Sequence, residues 1–519
     1  MFESVEKGPT VTKAAFEKQA RKLQAELLEA QRELREVKVP VIVIVSGVET
    51  AGKSQAVKRL NEWLDARNVQ SVAFWDESDE ERERPFQWRF WRQLPAGGTI
   101  AILFGSWYTQ PIVQRAHKDI SRRRYDDELA GIAALERTLT DNGALLVKLW
   151  FHVSKKEQKR RLKDIAKVQK RQLTPYEKAY SKQYDRFLRV SEEAIRATDG
   201  TQAPWHLIDA TDRQHRELAA GRVLLEAIRE RLKAKQAVPP SPRRGRFASV
   251  LDTVDLAAKA DARNYPEKLE KYQARLNKLA WRAREQKVST VLMFEGWDAA
   301  GKGGAIRRVV AAIDARLVRV IPIAAPTDEE RAHHYLWRFW RHLPRGGYFT
   351  IYDRSWYGRV LVERVEGFAQ PHEWRRAYAE INEFERQLTD RGICLCKFWL
   401  HVSPEEQLRR FNERARTEYK KHKITEEDWR NRDKWGAYTQ AVNEMVARTS
   451  TDPAPWTLVA ANDKKLARLT VLKTACDALE RALDRPGRHV PRYPMRLQAG
   501  GARASGLRTN PWNLAGRPA

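Results

Sequence analysis

The chain alternates between stretches whose apolar residues recur at helical spacing and short apolar runs that are typical of buried strands. The helical pattern occupies residues 16–35 and 265–286, and each stretch leads directly into a β-branched run, at 39–45 and 288–294. Later apolar runs at 99–104, 144–153, 348–353 and 393–402 are separated by further helical stretches. This alternation predicts an α/β fold in which helices flank a parallel sheet.

The pattern occurs twice because the chain contains a long internal repeat. Residues 88–98, WRFWRQLPAGG, return at 337–347 as WRFWRHLPRGG, which is an offset of 249 residues. The same offset relates Lys53 to Lys302, and it has grown to 251 residues between Trp205 and Trp456. A repeat of this length indicates a duplicated domain and not a solenoid unit.

The repeat determines the predicted domain organisation. We expect one domain over residues 12–235 and a second over residues 263–484. Residues 236–262 contain the segment VPPSPRRG and are predicted to be a linker. From residue 485 the chain is basic and rich in Pro and Gly, which predicts a flexible tail over residues 485–519.

Composition narrows the class of partner. The chain has 519 residues, with 96 Lys and Arg against 68 Asp and Glu, and its formal net charge is +28. This excess favours a polyanion such as nucleic acid, a phosphate polymer or an acidic membrane surface. The longest apolar run is too short to cross a bilayer, and the N-terminus lacks a signal-peptide pattern. The three cysteines form no CxxC pair, which argues against a disulfide framework or a zinc site. We therefore expect a cytoplasmic protein with no membrane span.

A glycine-rich turn follows the first strand of each copy. The first turn, GVETAGKS at residues 47–54, matches GxxxxGK[ST], and the second, GWDAAGKGG at 296–304, lacks the final hydroxyl. Glycines allow backbone N–H groups to wrap an anion at a helix N-terminus, and the lysine adds a positive charge. We therefore predict a phosphate cradle in each copy. The second comprises Gly296, Ala299, Ala300, Gly301, Lys302, Gly303 and Gly304, and the first includes Gly47, Glu49, Gly52, Lys53 and Ser54.

The two copies differ in the groups that phosphoryl transfer requires. Asp298 lies inside the second loop, and Asp353 ends a later strand next to Arg354. Two such carboxylates predict a site for Mg²⁺, or for Mn²⁺ in its place, and the arginine can stabilise charge on the transferring group. We predict Asp298, Lys302, Asp353 and Arg354 as catalytic residues, with a strand-end capping role left open for Asp353. The first copy has Glu49, Phe104 and Gly105 instead, which predicts a degenerate site.

Basic residues also crowd the helical stretch that follows the fourth strand of the second copy. Arg410, Arg414 and Lys421 are predicted to bind phosphate as part of a basic helical lid. Acidic residues such as Glu413 are interleaved, so a solvated face stays open as the alternative. A similar stretch begins at Lys159 in the first copy and leaves anion binding without catalysis open there. His401, at the end of a strand, is predicted to be structural.

The sequences at 296–304 and 353–357, DRSWY, together with Ala-Pro-Trp at 454–456, resemble the polyphosphate kinase 2 family. The two-copy arrangement is similar to the branch of that family that acts on AMP. The resemblance implies tandem P-loop kinase-like domains, each a parallel sheet flanked by helices with a lid. It also implies Mg²⁺-dependent, reversible transfer of the terminal phosphoryl group of inorganic polyphosphate to AMP, giving ADP.

Carried onto this sequence, the resemblance assigns Asp298 and Asp353 as the essential aspartates, Lys302 as the phosphate-binding lysine and Arg414 as a lid arginine. The expected partners are inorganic polyphosphate and AMP or ADP, with no membrane and no specific nucleic acid, while a homo-oligomer is left open. Two alternatives stay open, of which the first would use the same loop and aspartates and the second would account for the net charge and the basic tail. One is an ATP-dependent P-loop kinase for nucleotides or small molecules, and the other is a nucleic-acid-binding protein, which the charge favours but no recognised motif supports.

Overall fold

The computed structural model describes residues 1–6, 8, 10–167, 180–234, 249–417 and 426–484. In these ranges each copy forms a parallel sheet of five strands with helices on both faces, as the sequence predicts. The predicted lid residue Lys421, the predicted tail and residues 236–248 of the predicted linker lie outside the described residues. None of the helices in the described ranges combines the length and the apolar character needed to cross a bilayer.

The strands of the first copy are β1 Val41–Gly47, β2 Val69–Ala73, β3 Ile100–Phe104, β4 Leu145–His152 and β5 Trp205–Asp209. Those of the second are β6 Thr290–Gly296, β7 Val318–Pro322, β8 Phe349–Asp353, β9 Cys394–His401 and β10 Trp456–Ala460. Both sheets have the order 2-3-1-4-5 when the strands are numbered within each copy. The first strand of each copy is therefore central, and its carboxyl end opens into the glycine-rich loop.

The α-helices of the first copy are α1 Lys13–Val37, α2 Lys53–Trp63, α3 Asp79–Arg82, α4 Trp88–Trp91, α5 Thr109–His117, α6 Arg122–Asp141, α7 Lys155–Lys167, α8 Tyr184–Thr198 and α9 Arg213–Lys233. Those of the second are α10 Tyr265–Gln286, α11 Lys302–Val310, α12 Asp328–Arg331, α13 Trp337–Trp340, α14 Val362–Val365, α15 Pro371–Asp390, α16 Pro404–Arg416, α17 Glu426–Asp433, α18 Trp435–Thr449 and α19 Lys464–Asp484. Short 3₁₀ helices occur at Phe2–Val5, Ala66–Asn68, Leu251–Thr253 and Trp356–Arg359.

Burial explains why the central strands are continuous apolar runs. Helices cover both faces of each sheet, so neither face of β1 or β6 meets solvent. Val41 to Val45 are all buried, and β1 pairs in parallel with β3 and β4. The edge strands β2 and β7 have exposed positions and a weaker apolar pattern. For this reason the sequence pattern indicated the inner strands and did not indicate β2 and β7. The other two edge strands, β5 and β10, are partly buried and were also not indicated.

The two copies pack against each other through the repeated WRFW segments. The rings of Trp91 and Trp340 stack with centroids 5.6 Å apart and planes 12° apart. Around this pair, the Gly97 N–H donates to the carbonyl of Ala332 over 2.8 Å, and Arg84 Nε donates to the carbonyl of Leu343 over 3.0 Å. Equivalent residues of the two copies thus meet at the centre of the contact, as they do across the axis of a twofold dimer.

Candidate functional site

The loop after β6 has a backbone that only small residues permit. Gly296 has φ +148°, and a Cβ atom there would lie 2.6 Å from the carbonyl oxygen of Leu400. Gly301 has φ +108° and caps α11, and its carbonyl accepts a 3.0 Å hydrogen bond from the Gly304 N–H. The N–H groups of Lys302 and Gly303, at the start of the helix, are the ones that can face an anion. Lys302 Nζ donates to the carbonyls of Gly296 (2.7 Å) and Trp297 (3.2 Å). These bonds hold the ammonium group at the loop.

Asp298 lies in this loop and joins it to two other elements. One carboxylate oxygen is 3.4 Å from the Arg354 guanidinium, and the other accepts a 2.9 Å hydrogen bond from Asn431 Nδ2. Asn431 lies on α17, in the predicted lid, and its side-chain oxygen accepts from the hydroxyl of Tyr438. The lid helix therefore contacts the loop carboxylate directly. Sequence reasoning missed Asn431 because its position next to Asp298 depends on the fold of the lid.

Asp353 and Arg354 lie at the carboxyl end of β8, beside the loop. Asp353 pairs with Phe294 of β6, and the Arg354 N–H donates to the Phe294 carbonyl over 3.0 Å. None of the described residues donates a hydrogen bond to the Asp353 carboxylate. Arg354 has φ +65°, in the left-handed region that residues with a Cβ atom rarely adopt. Backbone strain of this kind is typical of functional turns.

Asp298 and Asp353 bring two carboxylates to this edge of the sheet, and carboxylate oxygens are suitable ligands for a divalent cation. Within the described ranges, no three His, Cys, Asp or Glu side chains converge as a metal site. A cation held by two aspartates completes its coordination with phosphate oxygens and water, which is the usual arrangement for Mg²⁺. The residues present therefore fit a metal ion shared with a phosphorylated substrate.

A buried glutamate lies beneath the site and was not predicted. Glu295, the residue before Gly296, is 6% exposed, and its Oε1 accepts a 2.7 Å hydrogen bond from the hydroxyl of Ser355. Burial raises the pKa of Glu295, while the Ser355 hydrogen bond and the positive charges of Lys302 and Arg354 oppose that shift. The aligned residue of the first copy is Ser46, and this difference between the copies was a signal available in the sequence.

A small basic pocket of about 180 Å³ opens on the other side of the loop. Its charged lining consists of four basic side chains from α16 and α19, namely Arg410, Arg414, Lys464 and Arg468, and one acidic side chain, Glu413. Burial, followed by the neighbouring arginines, lowers the pKa of Lys464. Crowded cations of this kind are stabilised by an anion. Arg414 was predicted here, whereas Lys464 and Arg468 were missed because they follow in sequence a strand that had not been recognised.

Arg410 is held more rigidly than a residue that only contacts substrate. It is 2% exposed, and its guanidinium donates to Glu406 and to the backbone carbonyls of Ala299, Ala300, Ala461 and Asn462 at 2.6–2.9 Å. These contacts use the five N–H groups of the side chain. The structure thus gives Arg410 a bracing role behind the loop, and phosphate binding by this residue stays a prediction because its N–H groups are engaged in these contacts.

The cradle of the first copy is filled by its own side chains. Lys53 Nζ donates to the carbonyls of Gly47 and Val48 and also contacts Glu49, its aligned substitute for Asp298, at 3.4 Å. The lysine charge is thereby partly neutralised within the loop. Phe104 and Gly105 stand in place of Asp353 and Arg354, so the described strand end supplies neither a carboxylate nor a guanidinium.

Arg216 closes the first cradle from the side. It aligns with Ala467 of the second copy, is 4% exposed and donates to the carbonyl of Ala51. A Cβ atom on Gly52 would lie 2.2 Å from its guanidinium, so this group occupies the space beside the loop. Burial lowers the pKa of Arg216 to about 10. Glu217 replaces Arg468, which reverses one charge of the equivalent pocket.

Both copies retain a buried ion pair under the strand end. In the second copy, Lys397 Nζ donates to Glu385 (2.7 Å), and Glu385 also accepts from Trp356 Nε1 and the Tyr357 hydroxyl. In the first copy, Lys148 and Glu136 form the same contact at 2.8 Å. Since the network is also present in the copy that lacks the predicted catalytic residues, it belongs to the fold.

His401 has the environment of a structural residue. Its Nδ1 accepts a 2.9 Å hydrogen bond from Trp297 Nε1, whose ring stacks on Trp435 with centroids 3.7 Å apart. Burial lowers the pKa of His401 to about 4. A neutral imidazole that accepts from an indole is consistent with the predicted structural role.

Comparison with known proteins connects this site to a family. The model of the family "Polyphosphate kinase 2 (PPK2)" matches residues 10–236 and 259–486. The "Polyphosphate:AMP phosphotransferase" of Pseudomonas aeruginosa is 49% identical over 93% of this chain and 99% of its own length. The protein of the same name from Pseudomonas syringae pv. tomato is 47% identical over the same shares of the two chains.

A solved structure agrees with these sequence matches. The crystal structure of a protein from Pseudomonas aeruginosa, described as a polyphosphate kinase 2, superposes with a TM-score of 0.84. It is 49% identical in sequence, and the match covers 93% of this chain and 99% of the other. Both copies and almost the full length of the relatives are thus included. This chain belongs to the polyphosphate kinase 2 family.

Proposed function

We propose that this protein is a polyphosphate:AMP phosphotransferase, which transfers the terminal phosphoryl group of inorganic polyphosphate to AMP and forms ADP. The relatives that carry this name match nearly their whole length, including both copies. The observation that carries the proposal is the pairing, in the second copy, of an anion-binding loop with Asp298, Asp353 and Arg354 at one sheet edge. A basic pocket adjoins that loop and suits a polyanionic donor.

In the proposed reaction, an α-phosphate oxygen of AMP attacks the terminal phosphorus of polyphosphate. The new P–O bond forms as the terminal anhydride bond breaks, and the leaving group is a polyphosphate one unit shorter. The attacking phosphate is already ionised near neutral pH, so no general base is required. Because one anhydride replaces another, the reaction is reversible.

Lys302 and the loop N–H groups bind the phosphate at the cradle, and Arg354 stabilises negative charge on the group in transit. Arg414, Lys464 and Arg468 extend this positive surface along the donor chain. Asn431 holds the lid helix against Asp298, which couples the lid to the loop. These residues orient two anions that would otherwise repel each other.

Asp298 and Asp353 would hold Mg²⁺, or Mn²⁺ in its place. When bound, such an ion offsets the charge of the phosphates and lowers the barrier to their approach. The open acceptor capacity of the Asp353 carboxylate supports this assignment.

The first copy is proposed to be a scaffold that does not turn over. Its sequence left donor binding open, but Lys53 is paired with Glu49 and the Arg216 side chain fills the space beside Gly52. Its contribution is the packing surface around Trp91 that the second copy uses. A single donor site per chain is the consequence.

The proposal is tested by incubating the full chain with Mg²⁺, polyphosphate and AMP, ADP or GMP in turn, and separating the nucleotides. ADP formed from AMP is expected, with ADP a much poorer acceptor. A parallel assay offers ATP and polyphosphate together. Depletion of ATP with polyphosphate left intact would assign the protein as an ATP-dependent kinase and overturn the donor.

Matched variants of the two lysines test the assignment of each copy. Lys302→Ala is expected to abolish turnover, whereas Lys53→Ala leaves it within about 3-fold of the wild type, since a lysine already paired with a carboxylate contributes little to anion binding. Equal loss in both variants, with the fold intact, would show that the two copies act together.

A further inference from the structure

Glu295 is a buried carboxylate that the proposed reaction does not use. It occupies the last buried position of β6, and Ser355, its hydrogen-bond partner, is also buried. Burying a carboxylate is unfavourable unless specific partners stabilise it. The first copy shows that the fold accepts Ser46 at this position, so the fold itself does not require a glutamate.

The hydrogen bond from Ser355 connects the two halves of the site. Glu295 adjoins Gly296, where the cradle begins, and Ser355 directly follows Arg354. The Ser355 hydroxyl oxygen also accepts a 3.3 Å hydrogen bond from the Tyr357 N–H and so caps the 3₁₀ helix Trp356–Arg359. The Glu295–Ser355 bond is thus a direct side-chain link between the cradle strand and the turn that carries Asp353 and Arg354.

That turn requires support because its backbone is strained. Arg354 holds φ +65° between Asp353 and Ser355. A residue with a Cβ atom in this region is held there by its surroundings. The contacts that hold the turn include the backbone bond from Arg354 to Phe294 on one side and the Ser355 bond to Glu295 on the other.

The first copy provides an internal comparison. Its aligned turn contains Gly105, which has φ +77° without strain from a side chain. Ser106 aligns with Ser355, but no hydrogen bond joins it to Ser46 among the described residues. The glutamate, the strained arginine and the aspartate are therefore present together in the second copy and replaced together in the first.

We propose that Glu295 is a positioning residue, which holds the Asp353–Arg354 turn against the phosphate cradle through Ser355. This inference rests on the proposed function only in that the turn and the cradle act in one phosphoryl transfer. Glu295 itself contacts no substrate in this scheme. Loss of the link would leave the catalytic groups present but misplaced, which lowers kcat more than it raises KM.

The test compares Glu295→Ala, Glu295→Gln, Ser355→Ala and the Glu295→Ala/Ser355→Ala double variant in the full chain. Each alanine variant is expected to lower kcat by about 10- to 100-fold, with KM for AMP and polyphosphate within about 3-fold of the wild type. The double variant should be no worse than the poorer single variant, because both remove the same bond. Glu295→Gln keeps an acceptor for Ser355 and should restore most of kcat. Ser46→Ala is the matched control and should change nothing.

Three results would overturn the positioning role. The first is a drop in melting temperature with kcat unchanged, which indicates a purely structural carboxylate. The second is multiplicative loss in the double variant, which indicates that the two side chains act separately. The third is equal loss in Glu295→Gln and Glu295→Ala, which assigns the effect to charge. All variants are assayed with the donor that the wild type uses. If the proposed function is wrong, the wild type itself shows it, whereas an error in the present inference shows only in the variants.

Discussion

Replacing Arg354 by glycine and, separately, by alanine measures the strain stored in the site. Both substitutions remove the guanidinium and its 3.4 Å contact with Asp298, so both are expected to abolish turnover. They differ in backbone freedom alone. At φ +65° an alanine keeps the steric conflict of its Cβ atom, whereas a glycine does not.

The magnitude follows from two opposing contributions. Holding a residue with a Cβ atom in the left-handed region costs about 1–2 kcal/mol. Glycine avoids this steric cost, but the greater freedom of its unfolded chain lowers the stability of the folded protein by about 0.5–1 kcal/mol. Arg354→Gly should therefore be more stable than Arg354→Ala by about 0.75 kcal/mol at the centre of these ranges and by at most about 1.5 kcal/mol. The central value corresponds to roughly 1.5–3 °C in melting temperature for a domain of this size.

Calorimetry or circular dichroism of the full chain, with and without denaturant, measures this difference. Gly105→Ala is the matched control in the first copy, where a Cβ atom would lie 2.8 Å from the Phe74 carbonyl oxygen. Steric conflict and positive φ together should destabilise that variant by more than about 1 kcal/mol. If Arg354→Gly is no more stable than Arg354→Ala, the turn is unstrained and the argument for its functional origin fails.

Three further predictions concern chemistry, packing and pH. Asp353→Asn and Asp298→Asn should each reduce kcat by about 10²- to 10³-fold, while the circular dichroism spectrum stays unchanged. Normal activity in either variant would show that its carboxylate is not part of the proposed cation site. Lys397→Met and Lys148→Met each leave a buried glutamate without its cationic partner, so urea titration should show about 3–5 kcal/mol lower stability in both. Unchanged stability in either variant would contradict this cost of an unpaired buried charge. Because the pKa of His401 is about 4 in the folded protein and near 6.5 when unfolded, the unfolded state binds the extra proton between these values, and stability should fall by about 3 kcal/mol as the pH drops from 6.5 to 4. His401→Gln should flatten that decline, and an unchanged slope would contradict the assignment.

The sequence was sufficient for the fold class, for the duplication and for the position of Asp353 beside the loop. The inner strands, the duplication and the two loops follow from apolar periodicity and from local glycine patterns, which depend on neighbours in the chain. Asp353 could be placed beside the loop because parallel strands end at the same edge of a sheet. The family resemblance, and the fold it implies, are confirmed by the comparisons.

What the sequence could not supply depends on contacts between distant segments. Asn431 reaches Asp298 across 133 residues of chain, and Arg216 fills the first cradle from a helix 165 residues away. Neither contact leaves a periodic signal. Glu295 could have been noticed from the sequence, because aligning the two copies places it opposite Ser46. Its importance, however, depends on the bond to Ser355 and on a strained backbone, and neither can be read from the sequence.

The stacking of Trp91 on Trp340 has a consequence for how the chain could diverge. In a dimer of identical subunits, every substitution appears twice, and an allele that ruins one catalytic centre ruins both. Joining the subunits in one gene removes that constraint. Each half must still keep the surface that packs against the other half. Trp91 and Trp340 are the same residue type in both halves, whereas the glycine-rich loops of the two halves differ in sequence. Covalent fusion thus turns a symmetric pair into a working subunit with a permanently attached partner.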